Sequence, residues 1–410
     1  MGHINYADTT FVFLSTVLVM FMTPGLALFY SGMVRRKNVL STTMHSYATI
    51  AVVSLQWVIL GYSLSFGHNI GGFVGGFDFA FLNNVGFKAN AAYASNIPQQ
   101  IFMMFQMMFA VITPALISGA FAGRMRFPAF LIFTLLWSTL VYDPVAHWVW
   151  GDGGWLKTLG ALDFAGGNVV HMSSGVSALV IALFIGKRKG INEARPHNLP
   201  LTILGAGILW FGWFGFNAGS ALAINNVALN AFITTNTAAA AAALSWMFCE
   251  WAVFKKPSAM GFASGAVAGL VAITPGAGFV SMGSSLIIGL IGGAICFYSV
   301  TIMKKKIGYD DALDAFGCHG VGGTWGAIAT GIFASKSINS AGADGLIHGS
   351  FRLLGVQFLG IIAVYVFAAV VTLLILVVVN HFTKFRATED EEEVGLDISM
   401  HGESGYSLES

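Results

Sequence analysis

Eleven apolar runs, separated by short polar breaks, fill most of this chain, at roughly 10 to 31, 42 to 66, 98 to 122, 129 to 149, 164 to 186, 199 to 219, 228 to 253, 258 to 277, 282 to 303, 315 to 335 and 351 to 382. A helix rises 1.5 Å per residue, so about 20 apolar residues cross a hydrocarbon layer of about 30 Å. Inside that layer the backbone must satisfy its own hydrogen bonds, which a helix does alone. The chain has little else to offer: 10% of its 410 residues are charged and 56% are hydrophobic. Soluble domains carry about 25% charged residues, so a water-facing coat cannot be built here. The expectation is an all-α integral membrane protein with eleven transmembrane helices. A net charge of +1 gives no reason to invoke nucleic acid or another polyanion. Cys249, Cys296 and Cys318 stand singly in apolar runs, without metal-type spacing, and read as packing residues. No metal or cofactor is implied.

Charge position orients the chain. With the N-terminus outside, the inner breaks hold Arg35, Arg36, Lys37; Arg124, Arg126; Lys187, Arg188, Lys189, Arg195; Lys255, Lys256; Lys304, Lys305, Lys306; and Lys384, Arg386. Of the 20 lysines and arginines, only Lys88, Lys157, Lys336 and Arg352 fall outside. Excess basic residues mark cytoplasmic loops, so the N-terminus lies outside and the C-terminus in the cytosol, as for a multi-pass protein of the plasma membrane. The first run has no Lys or Arg before it and RRK after it, the reverse of a signal peptide, and reads as a mature helix. Residues 1–383 form the transmembrane domain. Residues 384–410 form a cytosolic tail holding Glu389, Asp390, Glu391, Glu392, Glu393, Asp397, Glu403 and Glu409 of the chain's 19 acids. Such a tail is expected to be solvated and mobile, although the mixed stretch GLDISMHGESGY makes it a candidate docking segment.

Two polar pairs interrupt the apolar runs. Asp163 precedes His171 by eight residues at the start of the fifth run, and Asp311 precedes His319 by eight at the start of the tenth. On a helix, eight residues rise about 12 Å, so each histidine is expected near mid-membrane, from opposite faces. The shared offset, five runs apart, suggests an inverted repeat of spans one to five and six to ten. Each aspartate suits the free amides of a helix N-terminus, and a polar side chain at such depth is a functional candidate. Two histidines are too few for a metal site, and hydrolysis lacks a nucleophile beside a base. A narrow pore in which two imidazoles meet a small solute is the favoured reading.

Aromatic residues indicate the solute. FQMMFA carries Phe105 and Phe109, HWVWG carries Trp150, and WFGWFGFNAGSA carries Trp213, Phe216 and Ser220. Rings with a hydroxyl and a nearby carboxylate attract a small cation, although interfacial aromatics alone are commonly a membrane belt. Carrying that cation further, into a dry interior, costs on the order of 20 kcal/mol in the idealised limit. A cation–π contact returns only about 0.5 to 2 kcal/mol. A cation able to shed its proton avoids the penalty; ammonium can, and potassium cannot.

DFAGGNVVHMSSG, GLALFYSGMVRRKN, WFGFNAGSA and DAFGCHGVGG together resemble the signature segments of the ammonium transporter family (Amt/Mep/Rh), on the Amt side, over nearly the whole chain. The resemblance implies a homotrimer of eleven-helix subunits, each with its own pore and an inverted five-helix repeat. It implies an external ammonium site at Phe109, Trp150 and Ser220, with Trp213 nearby and Asp163 assisting deprotonation. It makes Phe109 and Phe216 a phenyl gate, and His171 and His319 the twin histidines of an NH3-conducting pore and proton relay, with Asp311 as the repeat-related acid. It also implies that a PII-type signal protein docks at the tail, 395–410. A gas channel of the Rh type, or an ammonium sensor using the same site, remains the alternative.

Overall fold

The computed structural model describes residues 3–190 and 195–406. It is a helical bundle, and each of the eleven apolar runs is helical. In chain order these are α1 (Tyr6–Met33), α2 (Arg36–Phe66), α3 (Gln99–Phe121), α4 (127–150), α5 (Gly167–Ile185), α6 (Leu199–Gly219), α7 (Asn226–Phe254), α8 (Ala259–Ile273), α9 (Met282–Ile307), α10 (316–333) and α11 (Phe351–Phe382). Among the described residues nine helices are long and apolar enough to cross a membrane. The other two are α8, with 15 residues, and α10, a five-residue wide turn followed by a 13-residue helix. Helix α8 ends at Ile273, short of the expected 277; Thr274 keeps helical angles, and Pro275, which has no N–H to donate, cannot add a further helical hydrogen bond.

Small residues set how closely the helices approach. In α1 and α6, a Cβ on Gly25 would lie 2.6 Å from the Ile208 side chain, and one on Gly32 would lie 2.6 Å from the Asn198 carbonyl oxygen. Neither position admits a side chain. The run Ala238–Ala243 in α7 meets Gly269 of α8 and Gly289 and Gly293 of α9 in the same way. Lipid gives apolar helices no hydrophobic reason to associate, so close backbone packing of this kind supplies the dispersion contacts instead. The surface left outward is apolar: Leu373, Leu374, Val366 and Val370 of α11 are all exposed.

Between α2 and α3 the chain forms a layer of irregular structure over one end of the bundle. It contains a two-residue antiparallel ladder, Asn69 with Gly75 and Ile70 with Val74, and an exposed His68–Asp78 side-chain hydrogen bond at 2.6 Å. At the other end lie the basic breaks.

The tail differs from the expectation of a solvated, mobile segment. Within its described part, two short helices, α12 (Glu389–Val394) and α13 (Leu396–His401), pack beneath the bundle. The acidic run pairs with the basic breaks: Glu392 with Arg386 at 2.7 Å, Glu391 with Arg126 at 2.9 Å, and Glu389 and Glu393 with Lys189 at 3.3 and 3.2 Å. Asp397 accepts from the Ser41 amide at 2.8 Å, and the Leu396 amide donates to Asn38 Oδ1 at 2.9 Å. Residues 407–410, at the end of the proposed docking segment, lie outside the described residues.

Candidate functional site

Helices α5 and α10 each open with a wide π-helical turn that carries its histidine: Gly167–Met172 holds His171, and Phe316–Gly320 holds His319. Such turns recur at functional sites because the extra residue re-aims a side chain. Four residues beyond each histidine is a glycine, and both glycines lie at the crossing. A Cβ on Gly175 would strike the Gly320 backbone, and one on Gly323 would lie 3.0 Å from the His171 Cβ. The crossing therefore brings the two rings together, with Nδ1 atoms 3.3 Å apart, centroids 5.3 Å apart and planes 19° from parallel. Both residues are buried.

The aspartates act before the helices begin, which corrects the picture of eight helical residues from acid to histidine. Asp163 lies in non-helical chain. Its Oδ1 accepts from the amides of Gly166 (2.8 Å) and Gly167 (2.6 Å), and its Oδ2 from those of Asn168 (2.7 Å) and Val169 (3.3 Å). These amides have no partner within the helix, so the carboxylate both satisfies them and opposes the positive end of the dipole. Asp311 repeats the motif on α10, accepting from the Phe316 amide at 2.7 Å, again five residues on. Each histidine thus stands in the first turns of its helix.

Two cavities approach the pair. The outer one, of about 200 Å³, is lined by Phe109, Trp150 and Ser220, which the sequence grouped together, and also by Gln106, Tyr93, Phe102, Phe164 and Lys157. Trp150 stands edge-on to Phe109 at 5.9 Å, and its Nε1 donates to the Asp163 carbonyl at 2.9 Å. The Asp163 side chain, occupied by the four amides, is absent from that lining, so its link to the cavity runs through its backbone. Ser220 donates its hydroxyl to the Phe216 carbonyl at 2.8 Å, leaving the oxygen's lone pairs free to accept. Phe105 packs edge-on behind Phe109 at 4.9 Å.

The inner cavity is narrow, about 10 Å³ of free space, the scale of a single water molecule. Met22, Leu26, Ile112, Leu116, Leu209 and Val267 give it an apolar wall, and His171 and His319 are its titratable lining. His171 Nε2 is buried without a partner. Phe109 lines the outer cavity and Phe216 the inner one, and their rings are 4.2 Å apart and 33° from parallel. Trp213, which the sequence placed with the outer site, lines the inner cavity instead. It lies one turn before Phe216 on α6, stacks on His171 at 5.4 Å and 20°, and donates Nε1–H to Thr274 at 2.9 Å.

Sequence reading missed Gln106, Tyr93, Phe164 and Lys157. Gln106 had a signal, since it precedes Phe109 by three residues and so shares its helical face. The other three lie on irregular chain or a short helix whose position depends on the whole fold.

Comparison with known proteins agrees with this fold. Residues 10–406 match the Ammonium Transporter Family. A Bacillus subtilis (strain 168) protein named ammonium transporter is 60% identical over 401 residues, covering 97% of this chain and 98% of that protein. Ammonium transporter Amt1 of Archaeoglobus fulgidus is 46% identical over 97% of this chain and 99% of its own length. Among solved structures, Mep2 of Saccharomyces cerevisiae superposes with a TM-score of 0.91 at 38% identity, covering 99% of this chain and 93% of that one. A structure described as a sensor Amt protein gives 0.88 at 30% identity, over 97% and 98%. With paired histidines at the crossing of two capped helices and an aromatic vestibule outside them, this multi-pass membrane protein belongs to the ammonium transporter family, a family of transporters and not of enzymes.

Proposed function

We propose that the protein recruits NH4+ in the outer cavity, removes its proton near the Phe109–Phe216 gate, and conducts NH3 past His171 and His319. The observation that carries this reading is the inner cavity, which is too narrow and too apolar for a hydrated cation yet holds two imidazoles. The outer rings and the Ser220 oxygen offer cation–π and acceptor contacts to NH4+. Among the described residues no carboxylate side chain lines the inner cavity to balance a charge, so the desolvation penalty of several kcal/mol selects the neutral base. Ammonia both donates and accepts, as the two imidazole edges do. Asp163 acts by holding the α5 N-terminus and, through its carbonyl, Trp150. The proton, once released, either returns outward or crosses by the histidine pair.

In this reading all eleven helices span the plasma membrane, with the N-terminus outside and the C-terminus cytosolic, as two inverted five-helix halves and α11. Three subunits form the working unit, each with its own pore. The repeated aspartate cap, wide turn, histidine and crossing glycine on α5 and α10 support the inverted repeat. A PII-type signal protein docks at the cytosolic face through the tail 395–410, of which Leu396 and Asp397 bond to Asn38 and Ser41. An ammonium sensor is the second reading, and likeness to the solved sensor Amt protein favours it.

Current recording on reconstituted protein under an ammonium gradient tests the proposal. Ammonium-dependent current shows transport with charge, and uptake without current shows conduction of NH3 alone. Absence of both leaves the sensor reading and removes the transport one.

A further inference from the structure

Lys157 is one of the few basic residues outside the inner breaks, and it is the charged residue in the lining of the outer cavity. It lies on a short helix, Trp155–Leu159, and its ammonium group donates to the Trp150 carbonyl at 3.2 Å. The same nitrogen sits 5.8 Å from the centroid of the Tyr93 ring, within cation–π range. That ring is held firmly. Its hydroxyl donates to the Phe66 carbonyl at 2.7 Å and accepts from the Asp152 amide at 3.2 Å, and its face stacks on Phe102 at 5.1 Å and 13°. A cavity proposed to gather a small cation thus already contains one.

A lysine side chain ends in a primary alkylammonium, with the charge and N–H donors of the solute itself. Any wall that attracts NH4+ through an aromatic face and a carbonyl oxygen attracts Lys Nζ equally. Resting on the transport reading above, we propose that Lys157 is the resident cation of the outer cavity, a tethered competitor that ammonium displaces and that sets the site's affinity. Lys157 is exposed and borne on a flexible four-carbon stem, so it leaves without disturbing the fold. The Trp150 carbonyl and the Tyr93 face become available as it swings outward. Two costs then fall on the incoming ion: loss of the lysine's own contacts, and like-charge repulsion from a cation that remains close. At about 6 to 8 Å, in a dielectric between those of protein and water, the second corresponds to about threefold to tenfold in affinity.

The test measures saturation of methylammonium and ammonium uptake in proteoliposomes, with Trp fluorescence titration as a binding readout independent of flux. Lys157→Gln removes the charge and keeps the reach. It is expected to lower KM about threefold to tenfold at low salt, with a smaller gain in about 0.5 M sodium chloride, where the Debye length shrinks to a few ångströms. Lys157→Arg keeps the charge and is expected not to tighten binding. A Lys157→Gln protein with unchanged or weaker affinity overturns this inference while leaving the transport reading intact. Wild-type protein with neither saturable uptake nor binding overturns both.

Discussion

The Nδ1 atoms of His171 and His319 face each other at 3.3 Å, so the pair shares a single proton between them. Two Nδ1–H groups would oppose each other, and two bare nitrogens would leave both lone pairs unmatched. One ring is therefore the Nδ1–H tautomer and the other Nε2–H. The outward Nε2 atoms then differ: one donates and the other accepts.

Replacing His171 with Ala removes one half of this bond and leaves His319 Nδ1 buried without its partner. An unpaired buried polar group costs about 1–3 kcal/mol, which a bundle of this size survives. The expected result is a folded protein whose ammonium-selective uptake falls at least about tenfold, the equivalent of about 1.4 kcal/mol at the rate-limiting step. Uptake by reconstituted protein and size-exclusion profile together check it. Undiminished selective flux in the variant would remove the imidazole pair from the mechanism.

Asp163 presents a second case, in which the side chain caps α5 and the backbone carbonyl holds Trp150. Its two oxygens accept from four amides between Gly166 and Val169, and hydrogen bonds to a charged group contribute about 1.5–3 kcal/mol each at most. Asp163→Ala is expected to abolish uptake and lower the unfolding temperature in detergent. Asp163→Asn keeps one carbonyl acceptor and should fall between them in stability. Wild-type stability with lost transport would assign the carboxylate a direct chemical role in place of the structural one.

The spacing of Asp163 to His171 and of Asp311 to His319 made the paired site legible in the sequence, because two apolar runs share it. The apolar runs did the same for the helices, since burial in lipid leaves few alternatives to a helix. Residues whose role depends on tertiary placement were not legible. Trp213 and Phe216 line the inner cavity and Ser220 the outer one, and where along α6 the boundary falls depends on the height at which α6 meets α3. Tyr93 and Lys157 come from chain with no periodicity to read. The tail was misjudged because an acidic run is soluble by itself and ordered only when the facing basic breaks are counted as partners.

Gly175 and Gly323 should be as sensitive as the histidines they bring together. A side chain at Gly175 meets the Gly320 backbone, which has no rotamer to yield. Overpacking of this kind costs about 1–3 kcal/mol and displaces backbone. Gly175→Val is expected to separate α5 from α10 and stop uptake even where protein is recovered, whereas Gly207→Ala, at a position with open space, should transport normally. Normal uptake by Gly175→Val would show that the crossing distance is not limiting.

The cytosolic end offers a pH test with a definite sign. Asp310 is buried between Arg124 and Arg188, with oxygens 3.2 and 2.7 Å from their guanidinium nitrogens. Burial alone would raise its pKa, but the hydrogen bond and charge of Arg188 and the charge of Arg124 outweigh burial and hold it below the ordinary carboxylate value. A carboxyl group depressed on folding stabilises the protein above its unfolded pKa of about 3.9, and that stabilisation is lost as pH falls through the folded value. Arg124 is fully buried, so Asp310→Asn leaves a buried cation without its counter-charge, a loss of about 3–5 kcal/mol. Thermal unfolding of the two proteins should therefore differ by several degrees between pH 5 and 7, and the gap should narrow below pH 4 as wild-type Asp310 is protonated. A gap that is the same at pH 7 and pH 3 would mean that the asparagine disturbs packing, and that the ion pairs contribute nothing that protons can remove.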